Sequence, residues 1–248
     1  MNKVCILLHG YLGDEADFGL LPKALKPHYD KVIICQMPGH VSINRIYTFT
    51  FDETVKMLYE VIESYTKDSI VDIIGYSLGG VMASYLAKQY NFNKVVLISP
   101  SIKFLNFSFP KLMHTYMKEV KKSCEEKMAK ETEEETKNLF KADFGYIWYR
   151  FTTRFTFSTF KTFLQFIDAN NKLQEKIKSP LLVIRGELDE LVPKDTVETI
   201  LNSCVNPVKE YIGIPKASHL FLRFSDQTDT INRIIKFLTE DNLNESNK

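Results

Sequence analysis

At 248 residues and 28.8 kDa the chain suits one large domain, or a core carrying an insertion, and it can bury enough surface to fold without disulfides. Its 44% apolar and 25% charged residues are ordinary globular usage. A net charge of +1, from 32 basic against 31 acidic residues, argues against general nucleic-acid binding, and no apolar run reaches the ~18 residues of a membrane span.

The first apolar run, residues 4–8, follows a lysine as an export signal would. It ends in His9-Gly10 with no small-residue cleavage site, so it reads as a first strand. Further short runs lie at residues 32–35, 70–74, 95–98, 181–184 and 208–212. They are mostly continuous Val, Ile and Leu without polar alternation, which implies burial on both faces and a parallel sheet covered by helices. Helical spacing appears at Val55, Leu58, Val61, Ile62 and Tyr65, and again at Ile231, Ile234, Ile235 and Leu238. This alternation predicts an α/β sheet with right-handed crossovers and a site at the strand C-termini. The rhythm breaks over residues 101–178. There Met113, Met117, Val120, Cys124 and Met128 mark one helical face, and residues 118–137 carry a solvated Lys/Glu face. Residues 104–166 hold 15 of the 31 aromatic side chains. The expected organisation is a core of residues 1–100 and 179–248 with a helical cap, or lid, at 101–178. Residues 239–248 are polar and are expected to fray.

The cysteines Cys5, Cys35, Cys124 and Cys204 form no C-x-x-C pair, and no motif calls for a metal or an organic cofactor. Cys5 and Cys35 sit in apolar runs as small hydrophobes, which suits a reducing, cytoplasmic compartment.

The strongest chemical signal is Gly75-Tyr76-Ser77-Leu78-Gly79-Gly80, between the run 70–74 and a helix pattern at Val81, Met82, Tyr85 and Leu86. Strand, G-x-S-x-G and helix make a nucleophile elbow. Gly75 and Gly79 allow the close approach of strand and helix, and Ser77 lies at a helix N-terminus, where developing negative charge is favoured. A serine needs a base and an acid that orients the base. Of His9, His28, His40, His114 and His219, the last follows the final strand and points to the strand ends, with His40 its rival. The acid is expected after the run 181–184, where Glu187, Asp189 and Glu190 all qualify by chemistry. The turn Leu7-Leu8-His9-Gly10-Tyr11-Leu12-Gly13 can present backbone N–H groups. Tyr11 and Leu78 are the candidate donors to an oxyanion.

Taken together, His9-Gly10, Pro38-Gly39-His40, Gly75–Gly80, Gly186-x-x-Asp189-x-x-Val192-Pro193 and Ser218-His219 resemble the α/β-hydrolase superfamily over essentially the whole chain outside the insertion. The resemblance implies Ser77 as nucleophile, His219 as base and Asp189, rather than Glu187, as orienting acid. It also implies a structural role for His9, with the oxyanion donors at Tyr11 and Leu78. Relative to that family the chain starts at the third strand, so about six strands are expected. Gly39-His40-Val41 lacks the second glycine of the usual Gly-His-Gly loop.

The expected activity is hydrolysis of a small-molecule carboxylic ester through an acyl-enzyme. The aromatic cap favours an apolar acyl or aryl group, and the layout resembles bacterial carboxylesterases and monoacylglycerol-lipase-like enzymes. Residues 101–178 carry 15 basic and 10 acidic side chains and the remainder 17 and 21, a weak bias toward anionic substrates or a lipid surface. Three alternatives stand beside it: a menaquinone-pathway-like lyase, thioester or carbon–carbon hydrolysis, and a non-catalytic ligand-binding member. The lyase usually carries an arginine directly after the glycines, where this chain has Val81. Dehalogenase and epoxide-hydrolase chemistry use an aspartate nucleophile in place of Ser77.

Overall fold

The computed structural model describes residues 1–40, 45–103, 109–225 and 227–240, and the side chains of all of these but 109–116. Met113 and His114 of the sequence reading, Val41 and the tail 241–248 therefore lie outside the described side chains or residues.

The described strands are β1 (Asn2–Leu8), β2 (Lys31–Cys35), β3 (Ser69–Tyr76), β4 (Lys94–Ile98), β5 (Leu181–Gly186) and β6 (Lys209–Ile214). They form one parallel sheet in the order β2-β1-β3-β4-β5-β6. Each apolar run of the sequence is a strand. Several extend past the run because backbone pairing continues through polar residues, as at Asn2 opposite Ser69. The described helices are α1 (Leu21–Leu25), α2 (Phe51–Thr66), α3 (Leu78–Ala87), α4 (Phe109–Lys130), α5 (Glu134–Arg154), α6 (Phe157–Lys172), α7 (Asp195–Asn202), α8 (Phe221–Phe224) and α9 (Thr228–Thr239).

Continuous apolar strands divide their side chains between two cores. Val4, Ile6 and Leu8 of β1, with Val95 and Leu97 of β4, pack on α2, α3 and α7. Cys5 and Leu7, with Val96 and Ile98, pack on α1, α8 and α9. The strand order reverses between β1 and β3, and Leu8 lies level with Gly75 across that pair. The residues that follow, Tyr11 and Ser77, therefore meet at the switch point, where the chain leaves the sheet in opposite lateral directions.

Between β4 and β5 the described secondary structure is helical: α4, α5 and α6. Val120 and Cys124 are buried on α4, as the helical face requires. Helix α6 starts in a capping box, with Thr156 Oγ1 accepting from the Thr159 N–H and Thr159 Oγ1 accepting from the Thr156 N–H. It then enters the core. Phe160, Phe163, Phe166 and Ile167 share the hydrophobic cluster of α3 and the sheet. Phe166 is fully buried, its ring centroid 4.7 Å from that of Phe51 on α2. Phe166→Ala is expected to cost about 3–5 kcal/mol. Urea denaturation followed by both far-ultraviolet circular dichroism and tyrosine fluorescence should show that loss in a single shared transition; a separate early transition would mean that α6 unfolds independently of the sheet.

Candidate active site

Ser77 directly follows β3 with φ 55° and ψ −116°, a left-handed conformation that non-glycine residues rarely adopt. Such strain costs about 1–3 kcal/mol and persists only where the surroundings over-determine it. Here the Ser77 N–H donates to the Ile98 carbonyl at 2.9 Å, and the Ser77 carbonyl accepts from the Gly80 N–H at 3.0 Å. A Cβ on Gly75 would overlap the Gly79 carbonyl, and one on Gly79 would overlap the Leu8 carbonyl. The two glycines thus let α3 leave β3 sharply enough to lift the Ser77 side chain out of the sheet.

His219 lies in the loop between β6 and α8. Its Nε2 is 3.0 Å from Ser77 Oγ, and its Nδ1 is 3.1 Å and 3.0 Å from Asp189 Oδ1 and Oδ2. With Nδ1–H donating to the carboxylate, Nε2 is left to accept the serine proton. Asp189 follows β5, and its Oδ1 also accepts from the Leu191 and Val192 N–H groups, both at 2.9 Å. Burial alone would raise the Asp189 pKa. The His219 charge and hydrogen bond, the Val192 N–H and Arg185 outweigh it, and the carboxyl is held below its usual range. Burial alone would lower the His219 pKa. The charge and hydrogen bond of Asp189, with the charges of Glu190 and Asp143, outweigh burial and leave His219 above 6.5.

The other candidates fall elsewhere. Glu187 is exposed. Glu190 is buried beside the triad geometry but serves the backbone, its Oε2 accepting from the His219 N–H at 3.1 Å. His9 is buried, with Nδ1 3.0 Å from the Gly10 carbonyl and Nε2 accepting from the Met37 N–H at 3.1 Å. Both ring nitrogens are thereby engaged, and Nε2 joins the end of β1 to the loop after β2. His40 packs edge-on against Phe49, and burial pushes its pKa down to about 3. His28 is exposed near the β2 edge.

Tyr11 and Leu78 flank Ser77 from β1 and α3, and a Cβ on Gly10 would lie 3.1 Å from the Ser77 Cβ. Above them opens a pocket of about 720 Å³, a volume that includes open solvent at its mouth, with Ser77 and His219 in its lining. Tyr11, Met117, Ile147, Phe151, Phe160 and Phe163 supply an apolar wall. Among the aromatic residues between β4 and β5, Phe166 closes the core while Phe160 and Phe163 both pack on it and face the cavity.

The sequence reading missed several residues. Ser101, just past β4, places Oγ 3.2 Å from Ser77 Oγ. Lys127 of α4 donates to the Leu188 carbonyl at 2.9 Å and to the Asp189 carbonyl at 2.5 Å. Arg150 of α5 pairs with Asp17 through two bonds, at 3.2 Å and 2.5 Å, and Arg154 donates to the Leu12 and Gly13 carbonyls at 2.9 Å and 3.1 Å. Each joins residues far apart in the chain, so spacing could not reveal it. The only available signal was a cation on an otherwise apolar helical stretch, as with Arg150 among Ile147, Phe151 and their neighbours.

Burial and the Asp189 charge push the Glu190 pKa from 4.5 up to about 7. A raised folded-state pKa means that the native protein holds a proton that the unfolded chain has released, so stability falls as pH rises from about 4.5 to 7. Glu190→Gln keeps an acceptor for the His219 N–H and removes that titration. Thermal denaturation should show the variant gaining Tm over wild type at pH 8 and not at pH 4.5; an equal difference at both values would contradict the assignment.

Three comparisons bear on kinship. The family model described as "Serine aminopeptidase, S33" (Hydrolase_4) matches residues 1–226. Among solved structures, the metagenome-derived lipolytic enzymes LipS and LipT are represented by a chain at TM-score 0.68 and 15% identity, covering 96% of this chain and 93% of that one. A monoacylglycerol lipase from Paleococcus ferrophilus is similar at TM-score 0.66 and 17% identity, over 95% and 93%. MenH from S. aureus is similar at TM-score 0.56 and 21% identity, over 96% and 94%. The chain's matches span 30% and 33% of the length of the curated relatives. The family match, the parallel six-stranded sheet and the serine elbow agree, and the chain belongs to the Hydrolase_4 family of the α/β-hydrolase superfamily.

Proposed function

We propose that this protein is a serine hydrolase that cleaves carboxylic esters through a covalent acyl-enzyme. The carrying observation is the unbroken chain from Ser77 Oγ through His219 to Asp189, at 3.0 Å per link, on the floor of an apolar pocket. Ser77 Oγ attacks the ester carbonyl carbon while His219 Nε2 takes its proton. The tetrahedral oxyanion is held by the backbone N–H groups of Tyr11 and Leu78, and the positive end of α3 points at the same place. Collapse breaks the bond to the alkoxy oxygen, which leaves as the alcohol with the proton from His219. Water, deprotonated by His219, then attacks the acyl-serine, and the acid departs as Ser77 recovers its proton. Asp189 keeps the imidazole in the required tautomer throughout.

The aromatic wall from α5 and α6 favours an apolar acyl or aryl group, and residues 101–178 act as a lid over it. A lyase of this fold would call for a cation after the glycines. Val81 is fully buried there, and the pocket's Arg150 is already neutralised by Asp17. This favours ester cleavage over the lyase alternative. Four free, buried cysteines fit a cytoplasmic setting, and among the described residues no helix is long and apolar enough to cross a membrane.

The test is hydrolysis of a p-nitrophenyl ester series, short to long acyl, by wild type and Ser77→Ala. Turnover should depend on acyl length and fall about 10⁶-fold in the variant, with the fold preserved. Activity should rise with pH through a midpoint above 6.5, because only neutral His219 accepts the proton. Wild-type turnover by purified Ser77→Ala would overturn the mechanism. Covalent labelling of Ser77 by a fluorophosphonate without turnover of any ester would move thioester or lyase chemistry ahead.

A further inference from the structure

The loop that carries His219 is held by hydrogen bonds on both sides of the imidazole. The His219 N–H donates to Glu190 Oε2 at 3.1 Å, and the His219 carbonyl accepts from the Tyr76 hydroxyl at 2.5 Å. The two neighbours of His219 are held by a different group. Ser218 Oγ donates to Asp143 Oδ2, and the Leu220 N–H donates to the same oxygen at 3.4 Å. Tyr76 ends β3 and Glu190 lies in the turn after β5. Asp143 comes from α5, in the middle of the helical insertion. It is 1% exposed, and it lies at the wall of a second cavity that Phe140, Ser218 and Phe221 also line. A carboxylate removed from water needs a compensating partner, and its only described hydrogen bonds are those two to the histidine loop.

We propose that Asp143 is a positioning residue for the proposed hydrolysis: seating of the insertion on the core sets the His219 loop, so that the base comes within reach of Ser77 only when α5 is docked. The proposal rests on the serine-nucleophile reading. It makes the insertion a working part of the proton-transfer apparatus as well as a wall of the pocket. Lys127 on α4 acts in parallel on the acid turn through the Leu188 and Asp189 carbonyls. The groups acting on His219 electrostatically are Asp189, Glu190 and Asp143, and those facing Asp143 are His219, Asp189, Glu190, Cys124 and Tyr76, with Glu135 and Lys216 on the cavity wall. Burial pushes the Asp143 pKa up to about 6, so it carries its charge near neutral pH.

The test measures the second-order rate at which a fluorophosphonate labels Ser77, which depends on the activated nucleophile and not on the choice of ester. Asp143→Ala should label about 10–100-fold more slowly than wild type, the range expected when a reacting group is misplaced by about 1 Å. Asp143→Asn, which keeps an acceptor oxygen, should recover most of that rate, with a pH midpoint lower than wild type because one negative charge near His219 is gone. Ser218→Ala removes the same bond from the other side without altering the insertion. It should slow labelling in the same direction, and less than additively with Asp143→Ala. Labelling of both alanine variants at the wild-type rate, whatever their Tm, would overturn the positioning role while leaving the triad intact. A wild-type protein that does not label at Ser77 would instead overturn the nucleophile reading itself.

Discussion

The structure depends on a histidine held almost out of water. The His219 side chain is 3% exposed and that of Asp189 is wholly buried. An imidazole in that position tends to lose its basicity to desolvation, and a carboxylate tends to lose its charge. Each corrects the other. The carboxylate holds the ring's pKa up, the ring and two turn amides hold the carboxyl's down, and the imidazole is fixed with Nε2 3.0 Å from the Ser77 hydroxyl. The arrangement requires β5 and β6 to end level, since Gly186 pairs with Ile214 and the two loops leave the sheet side by side. It also requires β3 to end in a strained turn, because only the left-handed Ser77 brings its Oγ to the imidazole.

The insertion extends this logic beyond the sheet. Its cations grip two of the loops around the pocket: Lys127 holds the turn that carries Asp189, and Arg150 and Arg154 hold the segment after Tyr11. Arg150 and Asp17 are both buried, and a paired buried charge is costly to separate. Arg223 of α8 joins the same cluster through Asp14, with its guanidinium 4.0 Å from the centre of the Tyr146 ring. The result is an insertion seated by polar contacts around the rim and by the phenylalanines of α6 beneath. The pocket is the space left between the two sets of contacts.

Much of this was legible in the sequence, for local reasons. The central strands β1, β3, β4 and β5 are largely buried on both faces and read as apolar runs, whereas the edge strands β2 and β6 are part-exposed, and β6 carries Lys209 and Glu210 within its run. The elbow was legible because its geometry excludes side chains at Gly75 and Gly79, which leaves a pattern in consecutive residues. The choice among Glu187, Asp189 and Glu190 was not legible from residue chemistry, because their separation depends on how a tight turn aims each side chain. In the structure one is exposed, one meets the imidazole and one meets the histidine's backbone. Asp143, Lys127 and Arg150 were illegible for a further reason. Their partners lie 61 to 133 residues away, and the Lys/Glu-rich face of the insertion looks the same whether a given charge is solvated or docked.

The proposed hydrolysis depends on the protonation of one imidazole. The most direct measurement is an NMR titration of the His219 ring in wild type and in Asp189→Asn, with His219→Gln to assign the signal. The expected result is a half-titration above 6.5 in wild type that drops in the variant, as the charge that sustains the base is removed. A wild-type His219 that stays neutral down to pH 5, or one that is indifferent to Asp189→Asn, would contradict the claim that the buried carboxylate makes this histidine the base for Ser77.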